Sequence, residues 1–281
     1  MKIISPKFDD CGKEIFRNEL VRKHFVSDLL QIPIQQIHSV RLVNTFLRKR
    51  YRKQKLGILD ILIELNDNTL INTELQLTSS KFWDKRQIFY LSKLYISELN
   101  MGDNYSKLKR CVCISILDYN FSDRKEYHSV YKLRDSSGNL FSDAIEIHIL
   151  ELQKTLTGKE PLDDWIRLFN AESEEDLDMI KTKNIGILEA IKEVKLYNLS
   201  HMLRARYEAH LKYVRDRHAR DEYVRDEGLS EGLERGREQG IKILIETLLE
   251  EGNTKEQIIS KLMQKFHLSE EVAMQKYNMY K

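Results

Sequence analysis

Residues 56–76 carry a regular alternation of apolar and polar positions. Two runs rich in β-branched residues flank a polar turn at residues 66–68, and this pattern predicts a β-hairpin. Because successive side chains in a strand point to opposite faces, Asp60, Glu74 and Gln76 fall on one face of the hairpin. The hairpin therefore gathers polar side chains on an otherwise apolar element.

The loop length fixes the expected register of the hairpin. A three-residue loop pairs Leu65 with Thr69 and, counting back, sets Asp60 directly opposite Glu74, with Cβ atoms about 4.5–5.5 Å apart. Both carboxylates can then reach one divalent cation such as Mg²⁺, which takes carboxylate oxygens at about 2.1 Å. The alternative is that Asp60 is a strand-start acid that faces solvent.

The periodicity on either side of the hairpin predicts two helices, at residues 8–32 and 81–100. Apolar residues that recur at three- and four-residue steps should face the core. In the first helix they are Ile15, Phe16, Leu20, Val21, Phe25, Leu29 and Leu30; in the second they are Phe82, Phe89, Leu94 and Leu99. The second helix also carries a polar row, Arg86, Tyr90 and Lys93, which should face the acidic side of the hairpin.

Three further segments read as strands. Residues 110–118 form a continuous apolar run typical of a buried central strand, and residues 128–134 and 144–152 alternate around a turn at residues 136–139. This part of the chain therefore contains both strands and helices.

From about residue 160 the pattern is helical throughout, with one long stretch from residue 185 to about 250. It contains glycines at every fourth position: Gly228, Gly232, Gly236 and Gly240. These glycines either form a smooth stripe on a helix or mark a flexible linker. Thr254 and Ser269 are placed to cap two short helices, for which an oligomerisation or packing role is favoured over DNA reading.

These patterns predict three regions. Residues 1–155 should form the α/β domain, residues 156–250 a helical extension, and residues 251–281 a short helical hairpin. At 281 residues the chain is long enough for one substantial core with such an appendage.

Composition and net charge limit the class of partner and the cellular compartment that we expect. The net charge is only +2, so attraction to nucleic acid must come from local patches. Three cysteines without metal-ligand spacing argue against a disulfide framework and favour a reducing compartment. There is no signal-peptide pattern and no apolar run of about 18 residues, so we expect a cytoplasmic protein that does not associate with membranes.

One strongly basic run lies between the first predicted helix and the hairpin. Its candidate phosphate-binding residues are Arg48, Lys49, Arg50, Arg52 and Lys53. Such a run can hold DNA phosphates just before the acidic strand. A solvated, self-repelling loop is the alternative.

The order of the site residues resembles the PD-(D/E)XK nuclease superfamily, in which an acid on one hairpin strand precedes acid-x-Lys on the next. Here Asp60 precedes Glu74-Leu75-Gln76. The flanking sequence resembles the PD-(D/E)XK nuclease family transposases, also called recombination-promoting nucleases, over roughly residues 5–155 and into the glycine-rich tail. The residues that carry this closer resemblance are Pro6, Lys7, Asp9, Lys13, Phe16, Arg86 and Tyr90.

The chain departs from the family pattern at Gly12, where an aromatic residue is usual, and at Glu14, where lysine is frequent. Gln76 occupies the lysine position of the superfamily, although glutamine is usual in this branch.

The resemblance implies an α/β fold with a restriction-endonuclease-like core, in which helices flank a mixed sheet and a helical extension follows, and it implies a set of site residues. Mg²⁺ or Mn²⁺ would be held by Asp60, Glu74 and the main-chain carbonyl of Leu75. Glu14 would be an outer metal or water ligand, unless it is a solvated helix acid. The implied catalytic residues are Asp60, Glu74, Gln76, Arg86 and Tyr90.

The function that the resemblance implies is metal-dependent endonucleolytic cleavage of DNA, linked to recombination or transposon-type processing. A homo-oligomer formed through the C-terminal helices is a further expectation. The rival hypothesis is a nuclease-fold protein that has lost cleavage and acts as a DNA-bound or oligomeric scaffold. Gln76 keeps this rival open, because a neutral amide cannot stabilise developing negative charge as lysine does.

Overall fold

The computed structural model describes residues 2–47, 57–58, 60–97, 99–158 and 160–281. The basic run predicted to bind phosphates, residues 48–53, lies outside the described residues. The strands are β1 (Val40–Leu42), β2 (Phe46–Leu47), β3 (Gly57–Ile58), β4 (Ile61–Leu65), β5 (Leu70–Gln76), β6 (Cys111–Leu117), β7 (His128–Arg134) and β8 (Leu140–Glu151). The helices are α1 (Asp9–Ile15), α2 (Glu19–Leu30), α3 (Trp83–Tyr95), α4 (Leu162–Asn170), α5 (Glu174–Met179), α6 (Ile185–Asn198), α7 (His201–Glu250), α8 (Lys255–Phe266) and α9 (Glu270–Tyr280).

The main sheet is mixed, as the family resemblance implies, and its strands run in the order β1-β4-β5-β6-β8-β7. The β4–β5 hairpin and the β1–β4 and β7–β8 pairs are antiparallel, whereas β5, β6 and β8 are parallel. Helix α3 forms the crossover between β5 and β6. Strands β2 and β3 form a separate antiparallel pair.

Helices cover both faces of the sheet, and the alternation along β4 and β5 decides which residues face which layer. Ile61, Ile63 and Ile71 join the larger core together with residues of α1, α2, α4 and α6. Leu62 and Leu70 point to the opposite face, where they pack with Leu91 and Leu94 of α3. The acids of the hairpin share this second face.

The helix predicted over residues 8–32 is two helices. Helix α1 ends at Ile15, and Asn18 is the N-cap of α2. The Asn18 side chain accepts a hydrogen bond of 3.0 Å from the Leu20 N–H. The Arg22 guanidinium is buried and donates to the carbonyls of Phe16 and Arg17, at 2.8 and 2.6 Å. These side-chain contacts satisfy the backbone at the break, and Leu20, predicted to be core, is 45% exposed.

The crossover helix α3 is shorter than predicted. It begins at Trp83 and not at residue 81, and the buried aromatic residue at its start is Trp83 and not Phe82. Phe82, expected in the core, is 58% exposed, while Trp83 beside it is buried. The helix ends at Tyr95 rather than near residue 100, where the Ser97 hydroxyl bonds the Leu94 carbonyl at 2.8 Å.

The later strands agree more closely with the prediction. Strand β7 has the predicted bounds, and β6 is buried along its whole length. Strand β8 begins at Leu140, earlier than the predicted residue 144. The three cysteines are buried, and none of them forms a disulfide bond.

The long helical stretch from residue 185 to 250 is interrupted once. The buried Asn198 side chain accepts a hydrogen bond of 2.6 Å from the Ile4 N–H and donates to the Val194 carbonyl. After this break α7 continues to Glu250, so Gly228 and Gly240 lie within a helix and not in a linker. Over the part of the chain that the structure describes, no helix is both long and apolar enough to cross a membrane.

The chain divides into two compact units, Met1–Tyr207 and Glu208–Lys281. In the second unit, α8 and α9 pack on the end of α7 through a small apolar core of its own. Thr254 and Ser269 cap these two helices, as their spacing predicts. The three-region division at residues 155 and 250 stays a prediction.

Candidate active site

The register of the β4–β5 hairpin brings two acids to one end of the sheet. Ile61 pairs with Thr73, and the Leu65 N–H donates to the Thr69 carbonyl at 3.0 Å. The intervening loop has three residues, so the parity of the predicted register is observed. Continuing the same pairing by one step sets Asp60, which directly precedes β4, opposite residue 74.

Asp60 lies among charged groups of both signs. The Lys13 ammonium of α1 lies 3.7 Å from its carboxylate, and the Leu75 N–H donates to it. Burial raises the pKa of Asp60 to about 6; Lys13 opposes this shift, while the carboxylates of Asp9 and Glu74 add to it. The Asp60 carboxylate is thus a buried group whose desolvation Lys13 offsets only in part.

The Leu75 main-chain carbonyl points towards the side of β5 on which Asp60 lies. The Gln76 carbonyl accepts a hydrogen bond of 3.0 Å from the Asp118 N–H, on the β6 side of β5. Because carbonyls alternate sides along a strand, the Leu75 carbonyl points the other way, towards β4 and Asp60. The Asp118 side chain forms an ion pair of 3.0 Å with Lys7. The backbone at the end of β5 is therefore held by contacts with residues that are distant in the sequence.

Glu74 is held by two neighbouring side chains of α3. The Arg86 guanidinium contacts one carboxylate oxygen at 2.9 Å, and the Gln87 amide donates to the other at 2.6 Å. Gln87 is buried, and its own carbonyl oxygen lies within hydrogen-bond distance of Cys113 Sγ and Ser115 Oγ, at 3.2 and 3.3 Å. Gln87 was not among the site residues predicted from the sequence; its signal is a polar residue between apolar positions of a helix.

Gln76 contacts Arg86 as well. Its side-chain oxygen accepts a hydrogen bond from the Arg86 guanidinium, and its amide nitrogen donates to the Thr78 carbonyl at 2.7 Å. The position that holds lysine in the superfamily therefore holds an acceptor, and the nearby cation comes from α3. The Arg86 side chain remains 32% exposed, although its Nε atom is buried.

Other predicted residues lie apart from the acid pair. The Glu14 carboxylate pairs with Arg17 at 2.7 Å, and Lys13, one residue earlier, is the α1 side chain beside Asp60. The Tyr90 ring packs against the apolar cluster under the hairpin, with its centroid 5.6 Å from that of Phe89. The predicted polar row of α3 thus delivers Arg86 alone to the acids.

A hard divalent cation suits this arrangement. Among the described residues no group of three or more His, Cys, Asp or Glu side chains is arranged to hold a metal ion. The available donors are instead two carboxylates, Asp60 and Glu74, and the Leu75 carbonyl oxygen, an all-oxygen set that suits Mg²⁺ or Mn²⁺. Glu64, a further acid on this face, is occupied by Lys109 at 2.9 Å and by Arg41.

Comparison with known proteins identifies one family. A family model described as PD-(D/E)XK nuclease family transposase matches residues 11–223. No curated protein matches the chain, and no solved structure does. The match spans the hairpin, α3 and the parallel strands, so it includes Asp60 and Glu74 together with Lys13, Arg86 and Gln87.

Proposed function

The chain belongs to the PD-(D/E)XK nuclease family transposases, and on this premise we propose that it is a metal-dependent DNA endonuclease that hydrolyses phosphodiester bonds. The observation that carries the proposal is the opposed pair of Asp60 and Glu74 beside the Leu75 carbonyl. The family also supports a role in recombination or transposon-type DNA processing.

Asp60, Glu74 and the Leu75 carbonyl would hold Mg²⁺ or Mn²⁺ in this proposal. When bound, such a cation polarises the phosphodiester and makes a coordinated water more acidic. The raised pKa of Asp60 supports this assignment, because a site that disfavours a carboxylate charge in the free protein gains most from a cation.

The protein's own cations have separate tasks. Lys13 offsets part of the charge on Asp60, at 3.7 Å. Arg86 is held between Glu74 and Gln76, where its partly exposed guanidinium would bind the scissile phosphate and stabilise the charge that develops on it. Gln76 then positions Arg86, and the positive charge that the superfamily draws from a strand lysine comes here from a helix.

A plasmid assay tests the proposal. Supercoiled DNA is incubated with the full-length protein in Mg²⁺, in Mn²⁺ and in EDTA, and nicked and linear products are counted. We expect both metals to support cleavage and EDTA to stop it. A purified, folded protein that binds plasmid DNA yet cleaves it in neither metal would instead support the inactive scaffold.

Further parts of the proposal rest on the family and the sequence. DNA is the proposed partner, and the cytoplasm is the proposed location. Oligomerisation through the C-terminal helices and phosphate binding by the basic run of residues 48–53 also remain proposals.

A further inference from the structure

The segment that joins β5 to α3 is exposed at every position, from residue 77 to residue 82. It ends in Phe82, which directly precedes α3 and has 58% of its surface exposed. A single exposed phenylalanine is common on protein surfaces. This one is distinguished by its position, because the Arg86 N–H donates to the Phe82 carbonyl at 3.1 Å and residues four apart are neighbours on a helix.

Two lysine ammonium groups lie over the exposed ring as cation–π partners. The Lys81 ammonium lies 5.6 Å from the Phe82 ring centroid, and the Lys85 ammonium lies 5.3 Å from it. Among the described residues neither lysine forms an ion pair with a carboxylate, although Asp84 lies in the first turn of the same helix. By contrast, Lys13 near the acid pair is matched by carboxylates. The Phe82 surface, defined as Phe82 with Lys81 and Lys85, therefore carries two ammonium groups against the one carboxylate of Asp84.

An exposed aromatic ring between two cations suits single-stranded nucleic acid. An unpaired base that stacks on the ring displaces an ammonium group from the ring face, and the flexible lysine side chain then reaches a flanking phosphate of the same strand. Bases within a duplex are already stacked on their neighbours, so they offer no free face to the ring. The positive charge of the lysines further selects an anionic strand over a neutral apolar partner.

We propose that the Phe82 surface binds an unpaired base next to the scissile phosphate, so that the preferred substrate is DNA with a single-stranded segment. This inference rests on the proposed nuclease function, because Arg86, one turn away, is the group expected to contact that phosphate. The platform and the acid pair would then act on neighbouring nucleotides of one strand.

Binding measured in EDTA tests the platform apart from cleavage. Full-length protein is titrated by fluorescence anisotropy into a labelled single-stranded oligonucleotide and into the matching duplex. We expect tighter binding to the single strand, and we expect Phe82→Ala to weaken it about tenfold while changing duplex binding little. Phe82→Trp should preserve it, because the ring is retained.

Two further measurements isolate stacking from charge. A 2-aminopurine base in the single strand should change its emission on binding to the wild type but not to Phe82→Ala. Replacing Lys81 and Lys85 together by glutamine should lower the salt slope of single-strand binding by about one to one and a half units. Ile88→Ala is the matched control, because Ile88 is 56% exposed on another face of the same helix and should be silent.

Three outcomes would overturn this inference, and the first of them leaves the nuclease function standing. Plasmid cleavage by a wild type whose single-strand binding is unchanged by Phe82→Ala would overturn the platform and leave the nuclease intact. A wild type that neither cleaves nor binds DNA would overturn both. Equal loss in Phe82→Ala and Ile88→Ala would also contradict a specific role for the ring.

Discussion

The Gln87 side-chain amide donates a hydrogen bond of 2.6 Å to the Glu74 carboxylate. Its carbonyl end lies within hydrogen-bond distance of Ser115 and Cys113, both of which can donate to it. These contacts orient the amide so that its nitrogen, and not its oxygen, faces Glu74. A buried side chain of α3 thereby fixes one of the two acids that we expect to bind metal, and side chains that orient ligands in this way affect metal affinity.

Removing this amide should therefore weaken metal binding. In Gln87→Met the volume is kept, but Glu74 loses a donor and Ser115 loses an acceptor. We expect Mn²⁺ affinity, measured by calorimetry, to fall about 10- to 100-fold. The free energy of unfolding should fall by about 1–3 kcal/mol, because buried polar groups are left unpaired.

Ser115→Ala serves as the control for this change. It leaves the bond between Gln87 and Glu74 in place, with Cys113 still beside the amide oxygen, so Mn²⁺ affinity should change by only a small factor. A folded Gln87→Met protein with wild-type Mn²⁺ affinity would show that Glu74 does not depend on this amide.

A second prediction concerns Asp60. Asp60→Asn keeps the volume of the side chain but removes a charged ligand, so Mg²⁺-dependent plasmid cleavage should be abolished. DNA binding in EDTA should persist, because no group that contacts the nucleic acid is removed. Glu14→Gln is the matched control from the neighbouring helix, since the Glu14 carboxylate pairs with Arg17 and not with the site. Wild-type cleavage by purified, folded Asp60→Asn protein would remove this residue from the metal site.

The features that the sequence predicted well are those fixed by local geometry. The parity of the hairpin register follows from a three-residue loop and from the alternation of side chains, so Asp60 and Glu74 could be placed together from the sequence. The buried strand β6 and the caps at Thr254 and Ser269 follow from equally local rules.

The features that the sequence did not predict depend on contacts between distant segments. The break before α2 is stabilised by the buried Arg22 guanidinium, and the break after α6 by the bond of Asn198 to the Ile4 N–H. Periodicity alone reads through both breaks. Gln87 was missed for a similar reason, because its role depends on packing against Ser115 of another strand.

A third prediction concerns acid stability and lies away from the acid pair. His128 Nε2 lies 3.0 Å from His148 Nδ1, and His148 Nε2 lies 3.2 Å from the Glu146 carboxylate. Arg110 and Lys132 contact the same carboxylate, at 2.8 and 3.1 Å. Burial, with a contribution from His148, lowers the pKa of His128 to about 4.

The sign of the pH effect follows from this shift. The unfolded chain takes up a proton at His128 below about pH 6.5, whereas the folded protein does so only near pH 4. Stability from this group is therefore present above about pH 6.5 and is lost as the pH falls from there towards 4, by on the order of 1–3 kcal/mol. His128→Gln should lose less stability between pH 7 and pH 5 than the wild type in urea unfolding. His38→Gln, at an exposed histidine, should behave as the wild type, and equal acid sensitivity of His128→Gln would contradict the assignment.

The last prediction concerns which of positions 76 and 86 carries the cation of the site. In the superfamily order a lysine at position 76 would be expected to support cleavage, but here the Gln76 oxygen accepts a hydrogen bond from Arg86, which also holds Glu74 at 2.9 Å. A lysine has no acceptor, so Gln76→Lys would place an ammonium against the guanidinium and displace Arg86. We expect Gln76→Lys to lose at least about tenfold in cleavage of supercoiled DNA, and Arg86→Gln to lose a similar amount because the site then lacks its cation.

The double exchange Gln76→Lys with Arg86→Gln restores one cation and one neutral amide, so it should recover part of the activity that each single change removes. Rates for the four proteins at one Mg²⁺ concentration decide the matter: if Gln76→Lys alone is as active as the wild type, the bond between Gln76 and Arg86 plays no part in catalysis, and if the exchange recovers nothing, the position of the cation matters and not merely its presence.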